Sequence, residues 1–154
     1  NWQNSKIFED PQVEALKDAM FSRNMTEVER LIKEEHVNVN AIGKDNLTLV
    51  YLAVGIVDDP RPIELLLRHG ANPNVINNAQ HKQQGMAAVH VIAKTKYCRL
   101  FRTIFEYGGD PNLVAAGRTP IGFIPKNTVD WQTRVELLCR KGGDISKAYL
   151  DTSI

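Results

Sequence analysis

Apolar side chains recur along this chain at spacings of three and four, in four separate stretches. The stripes are Val28, Leu31 and Ile32; Ile63, Leu66 and Leu67; Leu100, Phe101, Ile104 and Phe105; and Val135, Leu138 and Cys139. Such spacings put the residues on one face of a helix, and that face has to be buried. Each stripe runs into a polar turn of similar wording: Val37-Asn38-Val39-Asn40, Ala71-Asn72-Pro73-Asn74, Gly109-Asp110-Pro111-Asn112 and Gly143-Asp144-Ile145-Ser146. The second residues of these turns lie 34, 38 and 34 positions apart. A period in the mid-thirties, with a helical stripe and a turn each time, predicts stacked two-helix repeats.

Local signals place the ends of these helices. Gly70, Gly108 and Gly142 follow three of the stripes, where glycine closes a helix in the left-handed conformation. The first stripe has His36 there, a residue that tolerates positive φ better than most. A second, inner helix opens at Thr48, at Ala87 and at Thr119-Pro120, where Thr caps and Pro suits the first turn. Asp10-Pro11 opens the first helix in the same manner, with Val13, Leu16 and Met20 as its buried face. The expectation is an all-α chain of about four helix pairs, near 11–35, 48–69, 87–108 and 119–142, with protruding β-hairpin-like fingers between them. Residues 1–10 are an N-terminal extension and 11–150 the repeat domain. Glu27, Glu29, Arg30, Lys33, Glu34 and Glu35 make the first outer helix polar enough to cap the stack.

Composition adds mostly exclusions. A chain of 154 residues is one domain by length, and 43% hydrophobic with 24% charged residues is ordinary for a globular protein. The formal charge of +1 gives no footprint for nucleic acid, and no apolar run is long enough to span a membrane. Cys98 and Cys139 fall in different repeats, and buried free thiols are expected rather than a disulfide. No metal-ligand or catalytic spacing occurs: His36, His69, His81 and His90 are scattered, and there is no nucleophile elbow or phosphate loop. Neither an enzyme, a metal nor a cofactor is expected.

Breaks in the repeat are where function is sought. Thirteen residues separate Asn74 from Ala87, against eight from Asn40 to Thr48 and seven from Asn112 to Thr119. The extra residues lie in 75–84, as a neutral insertion or, the preferred reading, a contact loop. Asp58-Asp59-Pro60-Arg61-Pro62 is best explained as helix-linker chemistry, and Trp131 as cover for the last pair. The expected partner-binding residues are Lys44, Asp45 and Asn46 on the first finger, Ile76, Asn78, His81, Lys82 and Gln84 on the second, and Arg118 on the third. Val91 and Lys94 join them from the inner helices, with Tyr51, Gly55 and Phe123 as further candidates. Since few tip residues are acidic, a partner patch of mixed or slightly acidic character is expected.

The stretches Leu47-Thr48-Leu49-Val50-Tyr51-Leu52-Ala53, Gly85-Met86-Ala87-Ala88-Val89-His90-Val91-Ile92-Ala93 and Gly117-Arg118-Thr119-Pro120-Ile121 resemble the Gly-x-Thr-Pro-Leu-His-x-Ala-Ala opening of ankyrin repeats. The likeness covers about residues 11–150 and implies an ankyrin-repeat solenoid that binds other proteins. His90 holds the family's histidine position; Leu49 and Tyr51 depart from it in the first copy, and Ala87-Ala88 in the second. Phe8–Val13, Val39–Thr48, His69–Asn74 and Tyr107–Leu113 further resemble bacterial ankyrin lipoproteins encoded beside type VI secretion lipase effectors. That resemblance implies an immunity protein that neutralises a phospholipase toxin. It also implies a periplasmic location, with a possible lipid anchor upstream of residue 1. The alternative is a general ankyrin adaptor, cytoplasmic or secreted, that sequesters a signalling or host partner.

Overall fold

A computed structural model describes residues 2–56, 59–78 and 85–148 of the chain. Among them the backbone forms eight α-helices and no strand. The helices are α1 (Pro11–Phe21), α2 (Met25–Lys33), α3 (Leu49–Val54), α4 (Arg61–Arg68), α5 (Ala88–Lys94), α6 (Cys98–Glu106), α7 (Pro120–Phe123) and α8 (Trp131–Arg140). None is long and apolar enough to cross a membrane.

Contacts between helices are serial. Each odd-numbered helix packs on the even-numbered one after it, α1, α3, α5 and α7 touch in succession, and so do α2, α4, α6 and α8. The molecule is therefore a row of four hairpins, each sheltering its neighbours' apolar stripes. Val28, Leu31, Ile32, Ile63, Leu66, Leu67, Leu100, Phe101, Ile104, Phe105, Val135 and Leu138 are all buried. Cys139 departs from the expectation of burial: it is a free, exposed thiol, because no helix packs beyond α8 among the described residues. The side chain of Cys98 lies outside the described residues.

Helix ends follow the local chemistry. Asp10 accepts a hydrogen bond from the Gln12 amide at 2.9 Å with Pro11 in the first turn, and Thr48 Oγ1 accepts from the Tyr51 amide at 3.3 Å. Gly70, Gly108 and Gly142 have φ of 87°, 97° and 91°, and His36 has 52°. The cap expected from Thr119 does not form. Its hydroxyl is buried without a partner, because the Gly122 amide instead donates to the Thr119 carbonyl at 2.9 Å in a tightened single turn. At α5, His90 supplies what Ala87 lacks: its Nδ1 accepts from the Ala87 amide at 3.1 Å.

The recurring turn phrases lock the hairpins together. Asn40 Nδ2 donates to the Gly70 carbonyl at 2.9 Å, Asn74 Nδ2 to Gly108 at 2.9 Å, and Asn112 Nδ2 to Gly142 at 2.8 Å. In return each asparagine's Oδ1 accepts the amide of Asn72, Asp110 or Asp144 in the next turn. One side chain thus satisfies an acceptor and a donor left over at the following helix end. The phrase is a ladder of rungs between repeats as well as a turn within each.

Candidate interaction surface

The connections between hairpins present most of the expected contact residues, and their backbones explain how. After the first pair, the Leu47 amide donates to the Lys44 carbonyl at 3.0 Å across Asp45 (φ 55°) and Asn46 (φ 59°). Two successive positive-φ residues are the signature of a tight hairpin turn, and Asp and Asn are among the few that accept it. The third connection repeats the device with Ala116 (φ 51°) and Gly117 (φ 71°), bracketed by reciprocal Ala115 and Arg118 hydrogen bonds of 2.9 and 3.0 Å. Lys44, Asp45 and Arg118 are exposed at these tips, and Asn46 is half-buried.

The first two connections are tied to each other. The Asn78 amide donates to the Asp45 carbonyl at 2.7 Å, and Asn46 Nδ2 donates to the Ile76 carbonyl at 2.7 Å. Asn78 remains exposed, while Ile76 is half-buried against the core. Asn46 is thus partly a structural staple, a role its place in the sequence did not suggest. The second connection is closed at its base by Asn77, whose amide and side chain both donate to the Met86 carbonyl. His81, Lys82 and Gln84 lie outside the described residues.

On the inner helices Val91 is half-buried and Lys94 exposed. Lys94 Nζ stands 5.9 Å from the centre of the Phe123 ring, and the Arg118 guanidinium also stands 5.9 Å from it. Both distances are within cation–π range. The His90 ring meets Phe123 edge-on at 5.4 Å. His90 itself is buried: Nδ1 accepts from Ala87, so Nε2 carries the proton that binds the Leu113 carbonyl at 2.7 Å. Burial pushes its pKa below the ordinary histidine value, only partly opposed by those hydrogen bonds, and keeps the ring neutral. It braces the third connection against α5.

At the opposite end of the row, the exposed Trp2 meets the half-buried Tyr51 edge-on at 5.9 Å. Trp2 gave no periodic signal, so sequence reasoning passed over it; an exposed aromatic beside a repeat is the only hint. Gly55 is exposed at the end of α3. Asp59 is a linker residue: it receives the Arg61 amide and guanidinium at 2.9–3.1 Å, and the Arg61 side chain holds its carboxyl below the usual range. Asp58 lies outside the described residues. Trp131 is half-buried and packs against the core.

Among the described residues no three His, Cys, Asp or Glu side chains converge as metal ligands would. What the surface offers is a fixed row of aromatic, amide and cationic groups, suited to docking against another macromolecule. No known family profile matches the chain, and none of the curated proteins does.

Proposed function

We propose that this chain is an ankyrin-repeat module that binds another protein, and that its partner is a toxic lipase which it neutralises. The protein-binding part rests on one observation above all. The exposed Trp2, Asp45, Asn78, Lys94 and Arg118 and the half-buried Tyr51 and Phe123 are carried on serially packed hairpins. Residues presented on rigid elements lose little freedom on docking, so more of the contact energy appears as affinity. The turn phrases, the helix-opening stretches and the connections after α2, α4 and α6 support the ankyrin reading, with those connections as its fingers.

The immunity role rests on the likeness of Phe8–Val13, Val39–Thr48, His69–Asn74 and Tyr107–Leu113 to envelope-tethered ankyrin lipoproteins. In that role the chain is exported and anchored through a lipid on a cysteine upstream of Asn1. It blocks its partner by covering the active site or the surface with which the lipase meets its membrane.

Co-expression tests this directly. This reading predicts a lipase gene beside this one, a lipase that is lethal when produced in the periplasm, and growth restored by the anchored chain. Unabated toxicity with both proteins present overturns the immunity role. Replacing His81, Lys82 and Gln84 with serine should lower affinity for the lipase without changing stability by more than about 0.5 kcal/mol. Unchanged affinity in a calorimetric titration removes the second finger from the interface.

A further inference from the structure

Charge is unevenly divided along the row. Residues 1–77 hold eight Lys and Arg against twelve Asp and Glu, while residues 78–154 hold eleven against six. A near-neutral total therefore conceals an acidic first half and a basic second half. In the first half the cations are largely matched from within: Lys17 by Glu14, Arg30 by Glu27 and Glu35, Lys33 by Glu29, Arg61 by Asp59. In the second half Arg99, Arg134 and Lys147 pair with Glu64, Asp130 and Asp144, while neither Lys94 nor Lys96 has an ion pair among the described residues.

Two cations of the basic half meet at one ring. Lys94 and Arg118 both stand 5.9 Å from the centre of Phe123. An open cleft of about 530 Å³ adjoins it between the α5–α6 and α7–α8 connections, with Lys94, Lys96, Pro125 and Val129 in its walls. Val129 is wholly exposed. Asp130 also lines the cleft, but its carboxylate is held by Arg134 at 2.8 Å. The cleft thus combines cations with apolar walls, and Lys94 links it to the Phe123 ring.

We propose that Phe123, Lys94 and Arg118, with the cleft beside them, form the docking site for an acidic segment of the protein partner. Aspartate or glutamate carboxylates of that segment meet the two cations, and its apolar side chains lie on Phe123, Pro125 and Val129. This rests on the protein-binding reading above and adds the partner's chemistry and the place where it docks. A nucleic acid fits less well. Its affinity comes from phosphates neutralised along a row of cations, whereas this patch is short, walled by apolar groups and set in a chain of charge +1. Paired charges of this kind set specificity and association rate, and salt weakens them.

The test uses the full chain and a fluorescent peptide of alternating Asp, Glu, Gly and Leu, beside a twin with Asn and Gln for the acids. Anisotropy is read at low salt and at about 0.3 M, where screening acts within less than about 8 Å. The acidic peptide binds and its twin does not; added salt weakens binding. Lys94→Glu with Arg118→Glu lowers affinity by roughly tenfold or more, because like charges now oppose. Phe123→Leu, which keeps the apolar bulk, lowers it less, and Lys33→Glu on α2 leaves it unchanged. Amide shifts on the native chain cluster near Val91–Lys94 and Arg118–Phe123. Equal binding of the twin, equal losses in the Lys33 and Lys94/Arg118 variants, or tighter binding of a single-stranded oligonucleotide or an anionic vesicle each overturns the site. If the peptide is ignored while the neighbouring lipase is still held, this site alone falls. If the lipase is not held either, the protein-binding reading falls with it.

Discussion

The two ends of the row close the same stack by different means. At the first end the segment before α1 folds over the opening pair: Ile7 and Phe8 are buried, and Glu14 accepts the amides of Ile7 and Phe8 at 3.1 and 2.9 Å. Lys17, almost wholly buried, joins Glu14 to the Ser5 carbonyl. The segment also pairs with the first connection, where the Lys44 amide donates to the Ile7 carbonyl at 2.8 Å. A β-carbon on Gly43 would come within 2.7 Å of Ile7, so only glycine admits this approach. At the last end, among the described residues, Ile145–Lys147 and the buried Ala148 follow α8, the Ala148 carbonyl lies against Gly122 of α7, and Cys139 on α8 is exposed. The sealing of a repeat stack is thus a task for residues outside the repeat.

The largest test of that difference removes the plug at the first end. Phe8→Ala deletes a fully buried aromatic and should lower unfolding free energy by about 3–5 kcal/mol, as large-to-small core changes do. Urea titration checks it, and a loss under about 1 kcal/mol would mean the segment merely rests on the stack.

At the other end the strongest element is a charge. Arg134, 2% exposed, donates to Asp130 at 2.8 Å and to the Thr95 carbonyl at 2.5 Å, and lies 5.0 Å from the Phe101 ring. It fastens α8 to the α5–α6 connection. Arg134→Ala takes the guanidinium donor from the part-buried Thr95 carbonyl and should cost about 1–3 kcal/mol. Arg134→Lys should recover only part of this, since an ammonium lacks the planar fork.

Acid distinguishes the ends further. Burial raises the pKa of Glu14, but the hydrogen bonds from Lys17, Phe8 and Ile7 outweigh it and leave the group below the ordinary glutamate value. A carboxylate with a depressed folded pKa contributes stability that is complete above the unfolded value of about 4.3 and is lost as pH falls through the folded one. Native stability should therefore drop on acidification below about pH 4.3, and Glu14→Gln should flatten part of that drop. An unaltered acid limb in the variant would show that the strap is held by apolar contact alone.

How much of this was written legibly in the chain depends on range. Helix spans and their closing residues follow from spacings of three and four and from Gly70, Gly108 and Gly142, all local. The asparagine ladder was not legible, because Asn40 meets Gly70 only once the hairpins stand in register. Lys17 and Arg134 share the faces of Val13 and Leu138, four residues away, yet a charged side chain adds nothing to an apolar stripe. The segment at Ile7 and Phe8 has no period to announce it. For the surface, the exposure of Lys44, Lys94 and Arg118 follows from position in the repeat. The gathering of Lys94 and Arg118 around Phe123 follows from how α5 and α7 pack, which no single repeat encodes.

The smallest expected effect belongs to Cys139, and it probes the open end most directly. Leu67 and Phe105 hold the matching places in α4 and α6 and are buried, since each of those helices has another outer helix packed beyond it. Cys139 lies on the same helical face of α8 and is exposed. A surface thiol contributes almost nothing to packing, so Cys139→Ser should change stability by less than about 0.5 kcal/mol. A thiol reagent should modify the native chain at the rate of the unfolded one, and the variant should lose that fast phase. A slow reaction at Cys139, or a stability loss beyond about 1 kcal/mol, would place a cover over α8. The contrast between a sealed first end and an open last end would then be lost.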